Sequence, residues 1–359
     1  MKIQEDIPLA PLTTLQVGGP ARYFAQARSE SDVRYALAYA ADRHLPLFVL
    51  GGGSNLVVSD AGWPGLILQI ALTGSNCWNA DASHFFAAGA GENWDQFVAM
   101  TVGQNCAGLE CLSGIPGTVG GTPVQNVGAY GQEVSETISS VRVLEISSGK
   151  ITEWNNRDCG FAYRSSVLNT TALGRYIVLH VTFRLAQDGS PTVEYADLKK
   201  FLAAESAGSR PTLQRLRDAV RSIRHSKAML IVPGDEDCRS AGSFFKNPIV
   251  SRNEAARIVA LAQQRAPGKT LPQYPAEDGQ VKLAAAWLVE QAGFSKGLRR
   301  GAVGISRKHS LAIVNRGGAS ARDIVAFKNE IQEKVFDIWG VELRPEPVFV
   351  GFGSFDPTP

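Results

Sequence analysis

The sequence predicts a mixed α+β fold: a binding module of nucleotide type comes first, and a second, α/β module follows after about residue 210. Three observations predict it. Two glycine-rich segments fall within the first 131 residues, and alternating apolar runs follow as far as about residue 185. From Pro211 the character turns to helix, loop and a further mixed section.

Taken in order, Ser31 followed by DVRYALAYAADR reads as a capped helix with Val33, Leu37 and Ala40 on one face. LPLFVL is a short buried strand that stops at Gly51-Gly52-Gly53-Ser54-Asn55, and LVV leaves that turn as another strand. WDQFVAMTVGQN is helical, with Trp94, Phe97, Val98 and Thr101 inward. A stretch without one charged side chain then runs from Cys111 to Gly131, with six glycines and two prolines. VRVLEISSGKITEW alternates and turns at Ser148-Gly149, a hairpin, and YIVLHVTFRL alternates as well. LAAAWLVEQAG is an apolar helix ending at Gly293, and AVGISRKHSLAIVN contains a strand. Ser320 and Asp323 make a capping box for ARDIVAFKNEIQEKVFDIW, whose Ile324, Ile331, Val335 and Ile338 form a buried stripe. Gly340 ends that helix, and VELRPEPVFVG closes with a strand.

Composition narrows the function. With 359 residues, 44% hydrophobic and 19% charged, the chain is an ordinary globular protein and not a disordered one. A net charge of +2 and the lack of a Lys/Arg run argue against a nucleic-acid partner but leave acidic small molecules open. Cys77, Cys106, Cys111, Cys159 and Cys238 are odd in number and contain no C-x-x-C pair. That argues against a metal or disulfide framework and for a reducing compartment. The N-terminus carries acids where a signal peptide has bases, and no run of about 18 apolar residues exists, so no membrane role is expected.

The glycine segments point to phosphate. Backbone without Cβ turns at positive φ and presses its N–H groups against a ligand, and successive N–H groups form an anion site that needs no lysine. GGGSN and SGIPGTVGG could together grip one dinucleotide from both sides, while neutral surroundings accept a flat ring system. GGGSN is not G-x-G-x-x-G and no helix clearly follows it, so a Rossmann site matches poorly.

LGGGSNLVVSD, AGAGENWDQFV, GLECLSGIPGTVGGTPVQNVGAYGQEV, CGFAYRSS, AGSFFKNP, VKLAAAWLVEQAG and RPEPVFVG occur in this order between about Thr13 and Gly351. Together they resemble the UDP-N-acetylenolpyruvoylglucosamine reductase family, flavoenzymes that complete UDP-N-acetylmuramate for bacterial peptidoglycan. The resemblance implies a two-part FAD-binding domain of vanillyl-alcohol-oxidase type over 1–70 and 71–210. A C-terminal α/β substrate-binding domain follows over 211–351, then a loose tail over 352–359. It implies noncovalent FAD, NADPH as hydride donor, UDP-N-acetylglucosamine enolpyruvate as substrate, no metal, a cytoplasmic location and a monomer. FAD is expected on Gly51, Gly52, Gly53, Ser54, Asn55 and Leu56, then on Ser113, Ile115, Pro116, Gly117, Thr118 and Gly120. Gln125, Asn126, Gly128, Ala129, Tyr130 and the distant Arg224 complete the cofactor set. One departure appears early: Thr13-Thr14 stands where the family commonly has Asn-Thr, and Thr14 keeps the hydroxyl.

The implied reaction sets three tasks. Hydride reaches an electron-rich alkene only if the adjacent carboxylate takes up the charge, so fixed positive charge is the main requirement and a positioned acid the second. Arg164 in CGFAYRSS matches the family's arginine, whose guanidinium fork holds a carboxylate with two parallel bonds. Ser243 in AGSFFKNP matches the serine that protonates the intermediate, and Glu346, between Pro345 and Pro347, matches the catalytic glutamate. Those prolines put Glu346 at a sheet edge or mouth, where a raised pKa is expected. Lys227 aligns with a substrate-contacting lysine, although Ala228 stands where proline is frequent. Tyr195 in VEYADL resembles the tyrosine of the subgroup whose loop closes over the substrate, and Tyr163, Asn247, Tyr274 and His309 are expected to line the site. Two alternatives stand beside this: a sugar or alcohol oxidase on the same scaffold, and a flavin-binding protein without catalysis.

Overall fold

The computed structural model describes residues 1–80, 83–205 and 210–353. The first 70 residues give β1 (Ile3–Pro8), β2 (Pro20–Ala27), α1 (Glu30–Asp42), β3 (Leu47–Leu50), β4 (Leu56–Val58) and β5 (Trp63–Ile70). They form a sheet of order β1-β2-β5-β3, in which β2, β5 and β3 run parallel and β1 runs antiparallel. The cap of α1 is Ser29, not Ser31: the Ser29 hydroxyl accepts the Asp32 N–H at 3.1 Å, and Ser31 bonds to that hydroxyl at 2.8 Å. Val33, Ala36 and Ala40 are its buried residues, and Leu37 is half-buried. Only Leu50 of β3 is fully buried, because the rest of that strand walls a cleft.

The second part holds β6 (Ser75–Ala80), β7 (Ser83–Gly89), α2 (Trp94–Gly103), β8 (Cys106–Ala107), β9 (Gly128–Ala129), β10 (Gln132–Glu133), β11 (Ile138–Glu145), β12 (Ile151–Asn155) and β13 (Tyr176–Gln187). Its main sheet is antiparallel, of order β12-β11-β13-β7-β6, and contains the expected β11–β12 hairpin. Trp94, Phe97 and Val98 of α2 pack with Phe86 and Phe183 in the same core as Ala25, Val33 and Leu68. The two sheets therefore share one apolar interior, and ring pairs such as Phe97–Phe183 at 5.1 Å fill it.

The remainder contains α3 (Ala196–Glu205), α4 (Leu213–Ser226), β14 (Ile249–Val250), α5 (Arg252–Arg265), β15 (Gln273–Pro275), β16 (Val281–Leu283), α6 (Ala285–Gln291), β17 (Arg299–Arg300), β18 (Val303–Ile305), β19 (Ile313–Asn315), α7 (Ala321–Trp339) and β20 (Val348–Val350). AVGISRKHSLAIVN yields two antiparallel strands, β18 and β19, because the Arg-Lys-His stretch breaks the run into a loop. The capping box of α7 forms as read, and Gly340 ends it at φ +66°. Its buried stripe is Ile324, Phe327, Ile331, Val335 and Trp339. Ile338, seven residues after Ile331 and so on the same face, is only half-buried at the end of the helix.

Several contacts among the described residues tie the C-terminal core to the N-terminal part. Leu15, Val17 and Val57 insert among Phe244, Leu288 and Ile331. β20 runs parallel to β4, and the Asp60 carboxylate accepts the Ala321 and Arg322 N–H groups at 2.7 and 3.0 Å. Helix α4 packs instead with Leu198 of α3 and with Cys111. Phe352 rests on Phe349 at 5.7 Å, while residues 354–359 of the expected tail lie outside the described residues. No helix among the described residues is long and apolar enough to cross a membrane.

Candidate active site

The two glycine segments meet on one side of a cleft of about 1010 Å³. They pack backbone on backbone: a Cβ on Gly52 would lie 2.6 Å from the Gly117 Cα, and one on Gly53, at φ +64°, would lie 1.9 Å from the Leu12 carbonyl oxygen. Ser54 Oγ donates to the Pro116 carbonyl at 2.9 Å. The two loops thus pack directly against each other. Asp95 fixes the second loop, accepting from Gly114 N at 2.7 Å, from Arg217 Nη1 at 2.6 Å and from Arg221 Nη1. Burial works against its charge, but the Arg217 and Gly114 hydrogen bonds prevail and hold the carboxyl below its ordinary range. The same carboxylate anchors α4, which carries Arg224 and ends at Lys227.

Gly51 to Leu56, Ile115 to Thr118, Gly120, Gln125, Gly128 and Ala129 all border the cleft, as does Arg224. Ser113 and Asn126 do not: Ser113 Oγ donates to Glu110 O at 2.6 Å, and the Asn126 amide bonds Glu133, Ala162 O and Ser135 N. Their side chains shape the loop from beneath. Tyr130, also outside the lining, meets Tyr195 edge to face at 5.5 Å. These walls fit a flavin dinucleotide. Leu47, Phe48, Ile70, Leu168 and Val178 supply an apolar face. Arg224, 7% exposed, donates Nη2 to Met229 O at 2.9 Å but leaves Nε buried without a partner. A buried cation with an orphaned N–H is costly unless an anion completes it.

Arg164, Ser243 and Glu346 come from three remote segments and border the same cleft. Arg164 adopts φ +54°, a conformation that strains a residue with a side chain and that sequence did not signal. Its Nη2 donates to Gly128 O at 2.8 Å, and its Nε lies 3.6 Å from Glu346 Oε1. Burial pushes the Glu346 carboxyl up, and Arg164 and Lys246 offset part of that. Glu346 N donates to Phe244 O at 2.9 Å, which sets the glutamate beside the Ser243 segment. Thr14 Oγ1 bridges Ser240 O at 2.7 Å and Ser54 O at 3.2 Å, so the retained hydroxyl joins that segment to the first loop.

None of the expected substrate residues Tyr163, Tyr195, Lys227, Asn247, Tyr274 and His309 borders the cleft itself. Tyr163 lies beside Arg164, with Lys282 Nζ 4.2 Å from its ring centre, and a backbone group of Asn247 bonds its hydroxyl. The Asn247 side chain accepts Ala285 N at 2.9 Å and so caps α6. Tyr274 and Lys282 are register partners on β15 and β16. In the sequence the only signal of Lys282 is a cation at the head of the apolar run VKLAAAW. Lys227 Nζ pairs with Asp197 at 2.8 Å; burial opposes its charge, but Asp197 and the nearby tyrosines raise its pKa. His309 Nδ1 accepts Leu311 N at 3.0 Å, which places the proton of the neutral ring on Nε2. Burial, then Lys227, Lys296 and Arg224, push its pKa down to about 4.

Residues 21–155 match the family model of an FAD binding domain, and residues 233–350 match that of the UDP-N-acetylenolpyruvoylglucosamine reductase C-terminal domain. A Thermobifida fusca protein of that reductase name is 45% identical over 350 residues, covering 96% of this chain and 97% of its own. One from Mycobacterium tuberculosis is 42% identical, with 97% and 95% covered. The crystal structure of the Thermus caldophilus UDP-N-acetylenolpyruvylglucosamine reductase superposes with a TM-score of 0.65 at 26% identity, covering 98% of this chain and 99% of that one. The expected α+β fold holds, a vanillyl-alcohol-oxidase-type FAD-binding domain followed by the reductase C-terminal domain. By full-length identity as well as by domain order, this chain belongs to the UDP-N-acetylenolpyruvoylglucosamine reductase family.

Proposed function

We propose that the protein reduces UDP-N-acetylglucosamine enolpyruvate to UDP-N-acetylmuramate at the expense of NADPH, as a cytoplasmic monomer. The observation that carries this is the convergence of Arg164, Ser243 and Glu346 on a glycine-walled cleft. FAD would be held noncovalently by the two loops and Arg224, and when bound it supplies the hydride for the vinyl carbon.

The side chains do the rest. As the alkene is reduced, negative charge grows on the substrate carboxylate. Arg164 is anchored by one nitrogen on Gly128 O, which leaves Nη1 to meet that charge. Glu346, held beside Arg164 with its carboxyl pushed up by burial, faces the same enediolate. Ser243 delivers the proton to the central carbon, driven by the basicity of the developing carbanion, and regains a proton from solvent. Lys227 and the neutral His309 Nε2–H serve the diphosphate, and Tyr195 covers the bound nucleotide. The domain division proposed is 1–70, 71–210 and 211–351, with α4 as the bridge between cofactor and substrate parts.

The test is anaerobic stopped flow. NADPH should bleach the yellow protein, and the enolpyruvyl sugar nucleotide should restore the colour. Ser243→Ala should keep the bleaching and slow the recolouring by about 10²–10⁴-fold, the scale of a positioned acid. Equal recolouring rates in the two proteins would remove the serine from its role.

A further inference from the structure

Asp237 is fully buried and has no task in the scheme above. Its carboxylate accepts Arg307 N at 3.0 Å, Arg307 Nε at 2.7 Å and Arg316 Nη1 at 2.9 Å. Arg316 Nη2 donates in turn to Ile305 O at 2.7 Å. One carboxylate therefore ties the start of the loop between β18 and β19, the loop that presents His309, to Arg316 just beyond the far end of β19. Asp237 also begins the run through Ser240, Ala241 and Gly242 that leads along the cleft to Ser243. Two further ties join the same two segments: Asp235 to Lys308 Nζ at 2.8 Å, and Phe244 N to Leu311 O at 2.8 Å. Ser310 Oγ is held from behind by Glu290.

A buried carboxylate is a poor route to stability alone, since the desolvation of its ions offsets much of their attraction. Its geometric effect is larger. Proton delivery is sensitive to displacements of about 1 Å, and here the acid and the anion-binding histidine sit on segments fastened to each other. The structure assigns Asp237 as a positioning residue that holds the Ser243 hydroxyl and the His309 imidazole at a fixed separation. This rests on the roles proposed above for those two side chains.

Asp237→Ala would strand Arg316 inside the protein, so the informative variant is Arg307→Met, whose arginine side chain is 61% exposed. It removes the Nε tie and leaves the Arg316 pair intact. Amide exchange in the peptide containing Phe244 should rise about tenfold at unchanged melting temperature, as local opening. Recolouring of the reduced holoenzyme by the enolpyruvyl sugar nucleotide should slow about tenfold, with a larger solvent deuterium isotope effect as proton delivery limits the rate. Arg307→Lys should recover part of both. Unchanged exchange, or unchanged recolouring, overturns the assignment. If the wild-type protein itself is not recoloured, the functional reading falls, and the exchange experiment alone still decides whether the clamp holds the Ser243 segment.

Discussion

His309 allows a quantitative test of how the loop between β18 and β19 is built. Its pKa falls from 6.5 to about 4, mainly through burial and then through Lys227, Lys296 and Arg224. A histidine depressed in the folded state costs nothing above its unfolded pKa. Stability is lost as the pH falls from 6.5 toward 4, because the unfolded chain takes up the proton that the folded one refuses. At pH 5 the two values correspond to about 2 kcal/mol, and the partial exposure of the residue trims this to about 1–2 kcal/mol. Glutamine at this position still accepts the Leu311 N–H but does not titrate. Urea unfolding at pH 7.5 and pH 5 would compare wild type with His309→Gln, and only the change between the two pH values matters. The wild type should lose about 1–2 kcal/mol more than the variant. Equal losses would mean that the imidazole charges freely in the folded protein. The surrounding cations would then not converge on it, and its part in recognising a diphosphate as a neutral donor would be wrong.

Two further outcomes follow from the same walls. Gly52→Ala places a methyl 2.6 Å from the Gly117 Cα and must part the loops, at about 1–3 kcal/mol of overpacking; FAD titration of the apoprotein should show affinity weakened by about 5–150-fold, and retention within about twofold would refute the shared cradle. For Glu346 the raised carboxyl pKa keeps the acid form to higher pH, so recolouring should slow as pH rises through that value, while Glu346→Gln, which keeps a donor but no titration, should give a flat profile.

What could be read in the sequence is what local geometry writes there. The Ser320–Asp323 box and Gly340 bound α7 to the residue, and the charge-free run after α2 became the cleft wall. The choice between Ser29 and Ser31 was also written locally: Asp32 stands three residues after Ser29 and completes the pattern, whereas Arg34 follows Ser31. Non-local pairing was not legible. β2 needed β5, some forty residues on in the chain, and the half-burial of β3 depends on a cleft that exists only once β5 and the second loop are in place. The left-handed Arg164 and the Lys282–Tyr163 contact likewise result from tertiary packing, and no spacing encodes them.

The chain's two ends explain why cofactor cradle and acid can be tuned together. Asn55, the last residue of the first glycine turn, donates from one amide nitrogen to Gln125 Oε1 at 2.8 Å and to the Glu346 carbonyl at 3.2 Å. Val348 N returns a bond to Asn55 O at 2.9 Å, and β20 then aligns beside β4. Pro345 and Pro347 lack N–H groups, so Glu346 is held by its own N–H on Phe244 O and by this amide, in backbone that cannot slide along a longer ladder. A shift of the first loop is therefore passed directly to the carboxyl that faces Arg164. Under the proposed reaction, that coupling links the glutamate at the closing strand to the first loop through its own backbone.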